Sequence, residues 1–302
     1  MNIQSSATPR AKGPIVWLDM DQKELDDAYD QEVYAPNRDQ VVARRVVNSA
    51  RTRAILGEPQ RAAYGPTEIE KVDIFRTKAP NAPVNIFIHG GAWRRNKASE
   101  YSVLAELFVR AGAHCVILDF LNVDEAGGSL FPMADQIRRA IIWVYKNAAS
   151  FGGDPNRLYL SSHSSGSHFG GVMVTTDWRK ENLPADLFKG ALLASGMYDL
   201  TPVRLSKRSA YVKFTDEMVR DLSAQQHIAH LHAPLVLAHG TRETPEFQRQ
   251  TREFHAAVKA AGKPAELLVG EGYNHFEFLE TLANPYGLLG RAALAQMKLG
   301  VV

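Results

Sequence analysis

The 302-residue chain has a single cysteine, Cys115. No intrachain disulfide and no multi-cysteine metal site can therefore form. Cys115 stands in the apolar run Cys115-Val116-Ile117-Leu118 and reads as a small core residue. His-Glu-x-x-His and other clustered ligand spacings are missing, so the residue pattern offers no metal. No apolar stretch reaches the roughly 20 residues that a membrane span needs. The opening MNIQSSATPRAKGPIVW carries basic residues without the apolar core of a signal peptide. An excess of one charge is lacking too: 35 basic and 33 acidic residues leave a formal +2. That balance gives no electrostatic reason to expect nucleic acid or an anionic membrane as partner. The expectation is a soluble cytoplasmic protein whose partner is a small molecule. The oligomeric state is left open, a homodimer being one option.

What the chain does have is a globular composition, 45% hydrophobic and 23% charged, at a length ample for one large α/β domain. Residues 1–20 read as a loose arm. From Asp21 to about Ile55 the sequence is polar and helix-compatible, with Val41, Val42, Val46 and Val47 offered as a buried stripe. Strands are expected at Lys71–Phe75, Val84–Ile88, His114–Asp119, Arg157–Leu160, Gly190–Ala194, Pro234–Ala238 and Ala265–Val269. Helical spacing fills Ser99–Ala111, Met133–Ala149, Ser165–Thr175 and Glu246–Ala261. Such alternation implies a mainly parallel sheet with helices on both faces, and chemistry beyond the carboxyl ends of the strands. No linker-like run interrupts it, so residues 1–302 read as one domain. The segments 21–60 and 195–231 are expected to form a small helical cap over the site.

Arg157-Leu158-Tyr159-Leu160-Ser161-Ser162-His163-Ser164-Ser165-Gly166 runs from strand through a tight turn into a helix. It resembles the Gly-x-Ser-x-Gly nucleophile elbow, in which the serine occupies a strained backbone conformation and its neighbours two residues away must be small. Ser164 alone has small residues at both positions, Ser162 and Gly166. Ser162 in place of glycine predicts a more crowded turn. By itself such a serine cluster is equally readable as a helix N-cap.

Upstream, Phe87-Ile88-His89-Gly90-Gly91-Ala92-Trp93 follows a buried strand. Its glycines permit a loop whose N–H groups turn toward a substrate oxygen. The candidate oxyanion donors are the amides of Gly91, Ala92 and Ser165, with His89 as a structural support. Of the 10 histidines, His275 stands just after the last expected strand, in Glu271-Gly272-Tyr273-Asn274-His275-Phe276, where a loop can carry imidazole to the serine. His163 is assigned to packing and His168 to helical surface or core. Glu243 follows the strand Pro234–Ala238 by one short turn, in position to accept the His275 Nδ1–H; Glu246 is the runner-up, assigned instead to the start of the next helix.

With these pieces the chain resembles the arylformamidase (kynurenine formamidase-like) branch of the α/β-hydrolases, near the hormone-sensitive-lipase-like esterases. The stretches that carry the likeness are Asp73–Arg76, His89–Trp93, Phe151-Gly152-Gly153-Asp154-Pro155, Ser162–Gly166, Ser195–Leu200 and Pro245-Glu246-Phe247. The resemblance covers about Gln31 to His275. The resemblance implies a serine hydrolase with a Ser164–His275–Glu243 triad, working without metal or organic cofactor. Its implied substrate is an N-formyl aromatic amine or similar small acyl amide; a short-chain carboxylic ester is the alternative. Trp93, Tyr198 and Phe247 are offered as walls of an aromatic pocket, or else as ordinary core aromatics. A binding protein on a scaffold that has lost catalysis is the reading from a different functional class.

Overall fold

A computed structural model describes residues 10–300. Most of the signal-peptide reading falls on residues 1–9, outside the described residues. Part of the expected loose arm is ordered: β1 (Ile15–Trp17) and β2 (Met20–Asp21) pair antiparallel. Asp21 then caps helix α1 (Gln22–Ala28) in a reciprocal capping box with Glu24.

The main sheet has eight strands: β3 (Gln60–Ala63), β4 (Lys71–Phe75), β5 (Ala82–Ile88), β6 (His114–Leu118), β7 (Gly153–His163), β8 (Phe188–Ala194), β9 (Leu235–Gly240) and β10 (Ala265–Gly270). Their spatial order is β10-β9-β8-β7-β5-β6-β4-β3. The run from β10 to β6 is parallel, while β4 pairs antiparallel with β6 and β3 antiparallel with β4. Seven of these strands lie at the sequence's apolar runs. The eighth, β3, was not expected: Gln60-Arg61-Ala62-Ala63 is polar, largely exposed, and held at the sheet's edge by β4 alone.

Strand periodicity sorts the core into two layers. Val84, Ile86, Ile88, Val116, Leu158 and Leu160 point to one face, which α4 (Phe131–Asn147), α5 (Ser165–Val174) and α8 (Pro245–Ala260) help to cover. Phe87, Cys115, Ile117 and Tyr159 point to the other, against α3 (Ala105–Arg110), α9 (His275–Glu280) and α10 (Leu288–Gln296). Every residue of β5 and of β6 is buried, as a central strand between two helical layers must be. In α4, Met133, Ile137, Ile141 and Val144 recur at helical spacing and all are buried. Each full burial of such a side chain contributes about 1.5–3 kcal/mol. No described helix is long and apolar enough to cross a membrane.

The expected valine stripe is corrected. In α2 (Arg38–Leu56) the buried line runs through Val41, Ser49 and Thr52, whereas Val46 is 44% and Val47 66% exposed. A helix turns about 100° per residue, so a face centred on 41 and 49 carries 46 and 47 toward solvent. The 195–231 region forms short helices, α6 (Thr201–Leu205) and α7 (Asp216–Asp221), joined by 3₁₀ turns. It meets the N-terminal segment directly: the Lys207 amide donates to Asp26 Oδ1 at 2.6 Å and Gln22 Nε2 to the Leu205 carbonyl at 2.8 Å.

Candidate active site

β7 delivers the chain into a turn at Ser164 and α5 takes it away at Ser165. Ser164 has φ 60° and ψ −129°, a region that costs a non-glycine residue on the order of 1–3 kcal/mol. Its amide is tied to the Ala194 carbonyl at 3.0 Å. Two absences of side chain make the turn possible. A Cβ on Gly166 would lie 2.2 Å from the Ile88 carbonyl oxygen and 2.6 Å from that of His89, so only glycine lets α5 start this close to β5. The crowding expected from Ser162 is relieved one helical turn further on. A Cβ on Gly170 would lie 2.6 Å from Ser162 Oγ; the missing methyl is the space the serine uses. Ser162 Oγ then shares a 3.0 Å hydrogen bond with Ser167 Oγ, which donates to the Ala194 carbonyl.

The three residues expected to act together are brought together. His275 Nε2 lies 2.8 Å from Ser164 Oγ, and His275 Nδ1 lies 2.7 Å from Glu243 Oε2. A carboxylate only accepts, so Nδ1 carries the proton and Nε2 is left to accept from the serine hydroxyl. His275 differs from expectation in one respect. It is the first residue of α9, a helix closed by a capping box of Asn274 and Glu277, and not part of a swinging loop. The imidazole is thus fixed in place by a helix start.

Glu243 is buried and fully engaged. Besides His275, its carboxylate accepts from the Gly240 amide at 2.7 Å, the Ser195 hydroxyl at 2.6 Å and Gln31 Nε2 at 3.2 Å. Gln31 Oε1 in turn accepts from the Thr244 amide at 3.2 Å. Sequence reasoning missed both side-chain donors. Ser195 had a faint signal, a small residue at the end of β8 next to the elbow strand; it too is left-handed, at φ 57°. Gln31, more than 200 residues away in the chain, had none. Glu246 takes the place foreseen for the runner-up, in the first turn of α8, bound to the Tyr29 hydroxyl and Arg249.

The glycine loop approaches the serine from the other side. Gly91, Ala92 and Trp93 have φ of 129°, 54° and 63° in succession, and a Cβ on Gly90 would lie 2.8 Å from Ser164 Cβ. The loop is held by the Trp93 amide donating to Ser165 Oγ at 3.2 Å. His89 lies against Tyr101 and Phe120, with Nδ1 2.9 Å from the Gly90 carbonyl; burial lowers its pKa, in keeping with a structural part. Among the described residues the amides of Gly91 and Ala92 have no acceptor. The Ser165 amide opens α5, where the first N–H groups of a helix lack intrahelical partners.

Above Ser164 is an opening of about 130 Å³ lined by Gly91, Ala92, Ser164 and His275, comparable to the roughly 150 Å³ cavity that accepts a benzene ring. Its aromatic wall is corrected. Trp93, Tyr198 and Phe247 do not line it. Tyr198 is stacked on Phe254 in the core at 4.4 Å, Phe247 backs His275 edge-on at 5.3 Å, and Trp93 is sealed against His168. All three side chains are buried in the core cluster instead. The aromatic rings that do line it are Tyr29, Tyr101 and Phe276. His163 lies beside the base, 4.4 Å between ring centroids, with Nε2 donating to the His275 carbonyl at 3.0 Å. Burial, with the neighbouring imidazole of His275 opposing a second charge, holds His163 well below the usual histidine range. His168 is core: burial lowers it to about 4, and it accepts from Trp93 Nε1 while donating to the Leu222 carbonyl.

A family model described as BD-FAE matches residues 72–194, from β4 through the serine turn to β8. The kynurenine formamidase of Danio rerio is 27% identical over 291 residues, 92% of this chain and 97% of that protein. An isoprenylcysteine alpha-carbonyl methylesterase of Arabidopsis thaliana is 24% identical, over 70% of this chain and 55% of that protein. Among solved structures, the esterase LipW from Mycobacterium marinum superposes with a TM-score of 0.70 at 17% identity, covering 89% of this chain and 90% of that one. The chain has the α/β-hydrolase fold, with its sequence likeness shared between formamidases and esterases.

Proposed function

We propose that this hydrolase of amide or carboxylic ester bonds is a serine hydrolase that cleaves a small acyl amide, of the N-formyl aromatic amine type, through an acyl-enzyme. The observation that carries the reading is the unbroken relay from Ser164 Oγ through His275 to Glu243 at 2.8 and 2.7 Å. Ser164 attacks the acyl carbon as His275 Nε2 takes its proton, and Glu243 stabilises the imidazolium. The carbonyl oxygen, now an oxyanion, moves onto the amides of Gly91, Ala92 and Ser165. Each such donor is worth roughly 3 kcal/mol in the transition state. His275 then protonates the leaving amine, water enters on the same base, and the acyl group departs as its acid. The N-terminal segment and the 195–231 region act in this reading as a cap that shapes the leaving-group side.

The amide reading is favoured by the nearly full-length likeness to a kynurenine formamidase. Likeness to methylesterases over a shorter span supports the alternative, a carboxylesterase on short acyl esters. The test is a comparison of catalytic efficiencies. Formate release from formanilide or N-formylkynurenine is expected to exceed acetate release from an aryl acetate by a wide margin. The opposite ranking selects the esterase. A fluorophosphonate that fails to label Ser164 would indicate a non-catalytic scaffold.

A further inference from the structure

The loop between α1 and α2 reaches both halves of the His275–Glu243 pair. Gln31 meets the acid. At the far end of the loop Asn37 stands at the N-terminus of α2, where an asparagine side chain ordinarily accepts from the first amides of its own helix. It makes no such bond: its backbone, at φ −98° and ψ 12°, is not extended, and its side chain is turned across to α9. There it closes a ring. Asn274, the residue before the base, accepts with Oδ1 from the amides of Phe276 and Glu277 at 3.0 and 3.1 Å. Its Nδ2 donates to Asn37 Oδ1 at 2.8 Å, Asn37 Nδ2 donates to Glu277 Oε1 at 2.6 Å, and Glu277 Oε2 accepts from the Asn274 amide at 3.2 Å. Because a carboxylate only accepts, each side-chain amide in the ring has one workable orientation. Two turns further along α2, Arg44 holds Glu280, the last residue of α9, with bonds at 2.7 and 2.6 Å. A helix of 6 residues has too few turns to be stable alone. The position of α9 is thus set by α2 at its start and at its end, and its first residue is the base.

We infer that Asn37 is a positioning residue for His275: its carboxamide completes the cap of α9 and so fixes where Nε2 stands against Ser164 Oγ. The inference rests on the serine-hydrolase reading above and gives the N-terminal segment a second task, holding the base as well as walling the pocket. Asn274 is 5% exposed, so without Asn37 its Nδ2 loses its acceptor in a place with little water. The side chain that caps α9 is then free to turn, and the imidazole shifts with the helix start. A misplacement on the order of 1 Å costs about 10²-fold in rate, so a partial loosening costs about tenfold. Asn37 does not line the opening over Ser164, so the loss falls on kcat and not on KM.

The variants are assayed on formanilide and on an aryl acetate, at a temperature where circular dichroism shows each one folded, and Ser164 labelling by a fluorophosphonate is timed. Asn37→Ala is expected to lower kcat about tenfold on the better substrate with KM changed by less than about twofold, and to slow labelling in step. Asn37→Asp sets a second carboxylate against Glu277 and is expected to lose more. Glu277→Gln added to Asn37→Asp turns one bond of the ring around, the new amide donating where the carboxylate accepted. That pair is expected to bring kcat back to within about threefold of wild type. An Asn37→Ala kcat equal to that of wild type overturns the inference, whatever happens to the melting temperature. So does a loss carried by KM alone, which would make Asn37 part of the pocket wall, or a double variant no faster than Asn37→Asp. If Asn37→Ala does not fold, Glu277→Gln breaks the ring from the other side and is read in the same way. Wild-type protein that is neither labelled nor active overturns the serine-hydrolase reading, and the positioning role falls with it.

Discussion

At the floor of the pocket the side chains of Ser164, His275 and Glu243 are saturated with partners. In the wall above them, Arg208 and Arg45 each keep a buried Nε–H with no partner among the described residues. The floor is made where strands β7, β9 and β10 end. The wall is made by the N-terminal segment and the 195–231 region, which bond to each other across about 180 residues of chain. On the proposed reading the difference separates two jobs. Groups that move protons must be held in one geometry, so each atom is tied down. Groups that receive a ligand must keep capacity in reserve, and unfilled hydrogen-bonding capacity in a buried place is that reserve.

The sharpest way to break the contrast is at the floor. Ser164→Ala is expected to lower kcat by about 10⁴-fold or more while leaving the melting temperature near that of the wild type. Next comes Glu243→Gln, whose amide can present the wrong partner to His275 Nδ1. It is expected to cost on the order of 10³–10⁴-fold in kcat with little change in KM. A loss below tenfold would mean that the carboxylate is scaffolding.

Packing beneath the serine gives the third effect. Gly170→Ala should destabilise by about 1–3 kcal/mol through overpacking against Ser162 and Leu193, and Ser162→Gly in the same chain should recover the part due to the serine. Additive melts in urea would sink the idea that Gly170 makes room for the serine.

Fourth is pH. His163 and His168 are buried and neutral, so the unfolded chain binds protons that the folded one refuses. Stability therefore rises with pH and is lost as pH falls below the ordinary histidine value of 6.5, down through about 4 for His168. Each such histidine contributes a slope of up to about 1.4 kcal/mol per pH unit in that window. Denaturant melts between pH 7 and 5 read it, and His168→Asn should flatten the curve.

The smallest change probes the seam between floor and wall. Gln31→Ala removes one donor from Glu243 and is expected to lower kcat about fivefold, the worth of one hydrogen bond near 1 kcal/mol.

Seven of the eight sheet strands and the order serine, acid, base are legible in the sequence because each depends on local rules. Apolar runs bounded by turns mark the buried strands. Small residues flanking Ser164 mark a strained turn, and polar residues just past strand ends mark the active edge. The strand β3 escapes such rules, since an exposed edge strand needs no apolar pattern. The same holds for α10, which is packed by the sheet face beneath it, and for the rotation of α2 that exposes Val46 and Val47.

By itself, then, the sequence determined the alternating fold, the serine turn and the identity of the three residues that meet there. Which rings line the pocket, that Gln31 and Ser195 hold the acid and that Arg208 has no carboxylate partner among the described residues were decided only by tertiary structure. The reason is range. Strand pattern and turn sterics act over a few residues, whereas hydrogen-bond saturation and charge pairing depend on atoms that meet only after about 50–220 residues of intervening chain have folded.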